Sequence, residues 1–139
     1  MRIVLDTNVL VSGLLSAAGP PAWIVEAVLV GELELALDMA IRQEYEDVLR
    51  RSEFGFSPEA VEGLLAAIDQ FGLHVAAAPP GPTPLPDPDD EPFLAVARAT
   101  DSTLVTGNLK HYPPRSRHGV TAQTPRELID RLRSPGEAP

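Results

Sequence analysis

Three consecutive apolar residues, Ile3-Val4-Leu5, run straight into Asp6, and this feature limits the fold more than any other. A strand with no polar alternation suits a place in a parallel sheet, where helices cover both faces. An acid directly after such a strand stands at the lip of the sheet. Short apolar runs recur at residues 33–37, which end at Asp38, and at 73–77, 103–105 and 120–122.

Segments of helical spacing fill the gaps. Val9, Leu10, Leu14 and Leu15 follow Thr7-Asn8, a pair able to cap a helix. Pro21 opens a second helix, with Trp23, Ile24, Ala27 and Val28 on one side. Residues 39–51 carry Ile41, Tyr45, Val48 and Leu49. Ser57-Pro58 starts a helix with Ala60, Val61, Leu64, Leu65, Ile68 and Phe71 inward and Gly72 as its stop. Seven of the fifteen prolines fall in residues 79–92, which reads as a semi-rigid loop over one edge of the domain. That loop feeds a helix capped by Asp89 or Asp90 and ending near Thr100. Thr124-Pro125-Arg126-Glu127 starts a last helix, to Arg133, with Glu127 placed to complete a capping box.

Strands that alternate with helices imply a three-layer α/β/α sandwich around a central parallel sheet of four to five strands. At 139 residues the chain fits one domain, residues 1–133, with a frayed tail at 134–139.

With no cysteine, a disulfide scaffold, a thiol nucleophile and a thiolate zinc site are excluded. No apolar stretch reaches the length of a membrane span, and no cleavable leader pattern is seen, so the expected compartment is the cytoplasm. The formal net charge of −9 argues against nucleic-acid binding by a general positive surface. The charge is uneven. Residues 1–97 hold four basic and sixteen acidic residues, whereas 98–133 hold seven basic and three acidic.

In a parallel sheet, functional groups gather beyond the C-terminal strand ends. That rule selects Asp6, Asp38 and Thr106-Gly107-Asn108. Asp6 reads equally as a helix cap or as a site carboxylate. Glu44 flanks the apolar stripe of its helix, where a stem on the core edge with a carboxylate in water is the competing reading. Asp90 lies three before Phe93, four before Leu94 and seven before Ala97, on the core-facing line of its helix. Asp87, Asp89 and Glu91 do not share that line. A charge there needs a reason, and a helix N-terminus supplies only roughly 0.3–1 kcal/mol of it.

Taken together, these three acids would converge near one end of the sheet. Two such charges 4 Å apart repel by about 4 kcal/mol at an effective dielectric of roughly 20. A cation or a bound proton must compensate. Oxygen ligands with open positions suit Mg²⁺ or Mn²⁺, and the pattern fits metal-assisted phosphodiester hydrolysis.

In order, Ile3 to Leu10, Glu44 to Leu49, Asp87 to Leu94 and Leu104 to Asn108 resemble the four motifs of the PIN domain, closest to the toxin-like PIN proteins similar to VapC toxins. The resemblance implies an Mg²⁺- or Mn²⁺-dependent endoribonuclease, an RNA substrate, a homodimer and a small antitoxin partner. It places the family's acids on Asp6, Glu44 and Asp90, as catalytic and metal-holding residues. The fourth acidic position falls on Asn108, an amide that can orient a water but brings no charge, which leaves one or two metals open. Thr7 and Asn8 become candidates for holding metal-bound waters, and Thr106 for contacting a phosphate; hydrogen bonds to local backbone are the competing reading. Lys110, Arg115 and Arg117, with His111 and His118, form a basic cluster able to guide RNA toward an acidic pocket, or a solvated loop shaped by Pro113 and Pro114.

Two other functions stay open. One is an aspartyl-nucleophile phosphatase, although Asn8 stands where a second acid is expected. The other is a weakly active or inactive binding protein, whose partner places an arginine among the carboxylates.

Overall fold

The computed structural model of the protein describes residues 1–133; the tail expected at 134–139 lies outside the described residues. The elements run β1 (Arg2–Leu5), α1 (Thr7–Leu15), α2 (Pro20–Leu29), β2 (Glu34–Leu37), α3 (Met39–Leu49), α4 (Pro58–Phe71), β3 (Leu73–His74), α5 (Glu91–Thr100), β4 (Thr103–Val105), α6 (Pro114–Arg117), β5 (Ala122–Gln123) and α7 (Pro125–Arg133). Short 3₁₀ turns occupy Ser52–Phe54, Pro88–Asp90 and Leu109–His111.

All strand pairs are parallel and the sheet order is β3-β2-β1-β4-β5. The chain therefore builds outward from β1 through β2 to β3, then returns to add β4 on the other side of β1. Connections leave β1 and β4 in opposite directions, so the crevice beyond their C-terminal ends is the topological switch point. Leu5 sits opposite Val105, and Asp6 N donates to Val105 O at 2.9 Å, which carries the pairing one residue beyond β1.

Ile3, Val4 and Leu5 are each 0% exposed, and Leu35, Ala36, Leu37, Leu104 and Val105 are equally buried. Burial of successive residues, which point to opposite faces, means that both faces of the sheet are covered. α5 packs on β1, β2 and β4, while α1 packs on α2 and α3. Tyr45 of α3 lies under the strand ends and donates from its hydroxyl to Leu5 O at 2.6 Å. Its ring is tilted against Phe93 with centroids 6.4 Å apart. This one buried tyrosine ties α3 and α5 to the last residue of β1.

Several local expectations hold. Ser57 caps α4 through Ala60 N at 3.1 Å, while Asp38, read from sequence as a strand-end acid and site candidate, instead caps α3 through Ile41 N at 2.9 Å. Thr124 and Glu127 form the reciprocal capping box, with bonds of 2.9 and 3.1 Å. Others do not hold. Trp23, Leu15, Ala60 and Phe71 are exposed rather than inward; Leu15 and Phe71 are the last residues of their helices. The strand expected at 73–77 pairs only through Leu73 and His74, and Val75 N still donates to Leu37 O at 2.9 Å.

Gly72 ends α4 for a reason other than left-handed backbone. Its φ is −72°, which any residue can adopt. A Cβ there would lie 2.6 Å from Ile68 O and 3.0 Å from Leu37 Cδ2, so glycine is needed for close approach of the chain to β2. Gly72→Ala is expected to destabilise the protein by about 1–3 kcal/mol through overpacking, read as a lower urea midpoint with an unchanged slope.

Candidate functional site

Asp6 occupies the N-cap position of α1, yet its side chain makes no capping hydrogen bond to that helix. It turns into the crevice between β1 and β4. Thr106 Oγ1 donates to Asp6 Oδ2 at 2.9 Å, and the Tyr112 hydroxyl donates to the same oxygen at 3.2 Å. Asp6 is 5% exposed. Burial pushes its carboxyl above the ordinary range, and the two hydroxyl donors pull the other way.

Glu44 reaches the crevice from α3, one residue before Tyr45. Its Oε2 accepts a hydrogen bond from Thr7 Oγ1. Its carboxyl is also raised, first by burial and further by the charges of Asp6 and Asp89. Asp90 is the N-cap of α5 and likewise makes no capping bond. It is buried, and its Oδ2 has no hydrogen-bond partner. His111 Nδ1 lies 3.1 Å from that oxygen without the alignment of a hydrogen bond. Burial, then the charge of Asp6, push the Asp90 carboxyl up to about 6.

The charge of Asp6 acts on both Glu44 and Asp90, and that of Glu44 acts on Asp90. None is ion-paired to an arginine or lysine; among the described residues the arginine pairs are Arg2–Glu34, Arg42–Glu46, Arg42–Asp69 and Arg50–Glu46. The acids brought together by the sequence reading thus meet at one rim. Asp38, the other strand-end acid, is used up as a cap.

The remaining candidates take more local roles. Thr106 is 0% exposed, donates to Asp6 and accepts from Asn108 N at 3.1 Å, so it positions Asp6 and is out of reach of a phosphate. Asn8 Oδ1 accepts from Gly107 N at 3.1 Å and joins the ends of β1 and β4. Thr7, expected to cap a helix or hold a water, holds Glu44. Asn108 stands at the rim, but its Oδ1 accepts from Lys110 N at 3.2 Å and closes the Leu109–His111 turn. Lys110 and Arg115 are exposed beyond β4, whereas Arg117 Nε donates to Tyr112 O at 2.7 Å and braces that tyrosine. Sequence reasoning missed Tyr112 and the approach of His111 to Asp90. A tyrosine in the run Lys110-His111-Tyr112-Pro113 carries no sign of which carboxylate its hydroxyl will meet.

No group of three or more acidic or histidine side chains closes on a common point among the described residues. The donor set still fits a hard divalent cation. Mg²⁺ keeps several waters and needs only one or two carboxylates from the protein. Asp6 and Asp90 supply those, with an unpartnered buried oxygen on Asp90 and Glu44 beside them.

A family model described as the PIN domain matches residues 2–110, a span that includes Asp6, Glu44, Asp90 and Asn108. Among solved structures, the chain is similar to one described as the crystal structure of VapBC2 from Rickettsia felis bound to a DNA fragment from their promoter. The identity is 15%, the match covers 89% of this chain and 98% of that one, and the TM-score is 0.60. At that identity the likeness speaks for the fold. No curated protein sequence matches.

The raised Asp90 carboxyl has a consequence for stability. Its folded value, about 6, exceeds the usual carboxylate range, so the folded state holds the proton more tightly than the unfolded chain. The associated stability is present below the ordinary range and is lost as pH rises through about 6. Asp90→Asn is therefore expected to raise the melting temperature of metal-free protein at pH 7 and to leave it nearly unchanged at pH 4. Thermal melts of both proteins in EDTA check this.

Proposed function

The chain belongs to the PIN domain family, and on that premise we propose that it is a divalent-metal-dependent endoribonuclease, the toxin of a toxin–antitoxin pair acting in the cytoplasm. The observation that carries this reading is the meeting of Asp6, Glu44 and Asp90 at the switch point of the sheet without a compensating arginine or lysine ion pair. Asp6 and Asp90, with Glu44 beside them, would hold Mg²⁺ or Mn²⁺. Such an ion lowers the pKa of a bound water and offsets charge on a phosphodiester under attack.

The protein's own groups keep that set ready. The Thr106 and Tyr112 hydroxyls favour the ionised form of Asp6 against its burial and fix its direction. Thr7 orients Glu44. Arg117 holds Tyr112 through its carbonyl. Lys110 and Arg115, exposed beyond the same strand, attract the RNA backbone toward a pocket whose own charge repels it. The similar structure contains VapBC2, a description that supports a small antitoxin as the partner of this chain. The reading includes a homodimer, as the family resemblance implies.

Purified protein is expected to cut RNA internally with Mn²⁺ or Mg²⁺ and to stop in EDTA. Asp6→Asn and Asp90→Asn are expected to abolish cutting with the fold intact by circular dichroism. Tyr112→Phe, which removes one donor to Asp6, is expected to reduce activity by about 10–100-fold. Normal cutting by the two Asn variants would refute the assignment. Replacing Lys110 and Arg115 with Gln is expected to flatten the salt dependence of RNA binding by about 0.7 in log–log slope per charge, read by fluorescence anisotropy.

A further inference from the structure

A second cavity, of ≈ 380 Å³, lies at the other end of β4. Arg98 of α5, Arg131 of α7, His118, Thr103 and Thr121 contribute to its lining, and Asp101 is its one acid. Three residue steps of strand separate Thr103 here from Thr106 at the carboxylate rim, about 10 Å. The two sites face opposite ends of the sheet.

Arg98 is the anomaly. It sits in the last turn of α5 among buried neighbours, and its Nε and Nη2 are shut away from solvent with no hydrogen-bond partner. The loop before α5 lies on the guanidinium at Gly81, where a Cβ would come within 2.8 Å of Nη2 and 3.0 Å of Nη1. Neither Arg98 nor Arg131 has a carboxylate ion-pair partner among the described residues. Arg131 Nη1 instead donates to Thr103 Oγ1 and Gln123 Oε1, both at 3.2 Å. His118 adopts left-handed backbone with φ 44° and is held by Thr83 Oγ1 at 2.7 Å from its Nε2. A partly buried guanidinium without an ion-pair or hydrogen-bond partner at its buried nitrogens is unfavourable, and its charge is delocalised over the whole planar group. An anion entering the cavity would compensate it.

We propose that this cavity binds a phosphate group, with Arg98 and Arg131 supplying the charge and the threonine hydroxyls meeting the remaining oxygens. The size of the cavity admits a nucleotide. Free phosphate, as inorganic phosphate or a nucleotide, and the 5′ end of an RNA present the same chemistry, and the test separates them.

The test is thermal melting in EDTA, which removes any divalent ion from the carboxylate rim. The probes are inorganic phosphate, AMP, and a short RNA with and without a 5′-phosphate, each against KCl at equal ionic strength. A saturable rise in melting temperature beyond KCl is expected for the wild-type protein. Arg98→Met and Arg131→Gln are expected to weaken it by roughly tenfold or more, and Asp90→Asn to retain it. Without ligand, Arg98→Met is expected to melt no lower than wild type, since an uncompensated charge is gone. Should that variant fail to fold, the exposed Arg131→Gln carries the test alone. A shift with phosphate and AMP assigns a free-phosphate site; one confined to 5′-phosphorylated RNA assigns an RNA end. No shift beyond KCl with any probe, or an undiminished shift in the arginine variants, overturns the proposal.

Discussion

Asp6 is a carboxylate at the end of a fully buried strand, and the whole rim is arranged around how that charge is tolerated. The strand order makes the problem unavoidable. β1 lies at the centre of the sheet, and Asp6 is drawn further in by the bond from its own N–H to Val105 O. Burial favours the protonated form. The fold opposes this with two hydroxyls on one oxygen, from Thr106 just after β4 and from Tyr112 in the segment beyond it. Both donors follow β4, the strand that closes the switch point, so the topology that creates the crevice also brings the groups that stabilise its charge.

The same economy of position governs the other two acids. Tyr45 anchors α3 to Leu5 O, and the residue before it is Glu44. Phe93 fixes the start of α5 against Tyr45, and Asp90 lies one turn earlier. Packing of two aromatic rings thus sets how far three carboxylates stand from one another. With the acids so placed, a cation, or a proton on Asp90, is left to offset their repulsion.

The layered parallel fold and two of the acids were legible from local signatures, an unalternated apolar run before Asp6 and a charge on the core-facing line at Asp90, whereas Glu44 reads locally as a boundary residue and was singled out through the family resemblance. Caps were legible at Ser57 and Thr124 for the same reason. The supporting groups were not. Thr106 was expected to meet a phosphate, and it is instead fully buried against Asp6, because a short polar side chain gives no hint of its long-range partner. Tyr112, which no pattern in the sequence singled out, is a buried aromatic whose hydroxyl serves the site. Trp23 and Phe71 matched the inward stripe of their helices yet are exposed, since spacing fixes a face but not how far the sheet extends beneath it.

Calorimetric titration of Mn²⁺ into the metal-free protein near pH 6, in buffers of different ionisation enthalpy, addresses the central point most directly. The expected result is saturable binding that releases protons, because Asp90 holds one near that pH until an ion displaces it, with binding lost in Asp6→Asn. Absence of binding, or binding undisturbed by that substitution, would contradict a shared-cation origin for the rim.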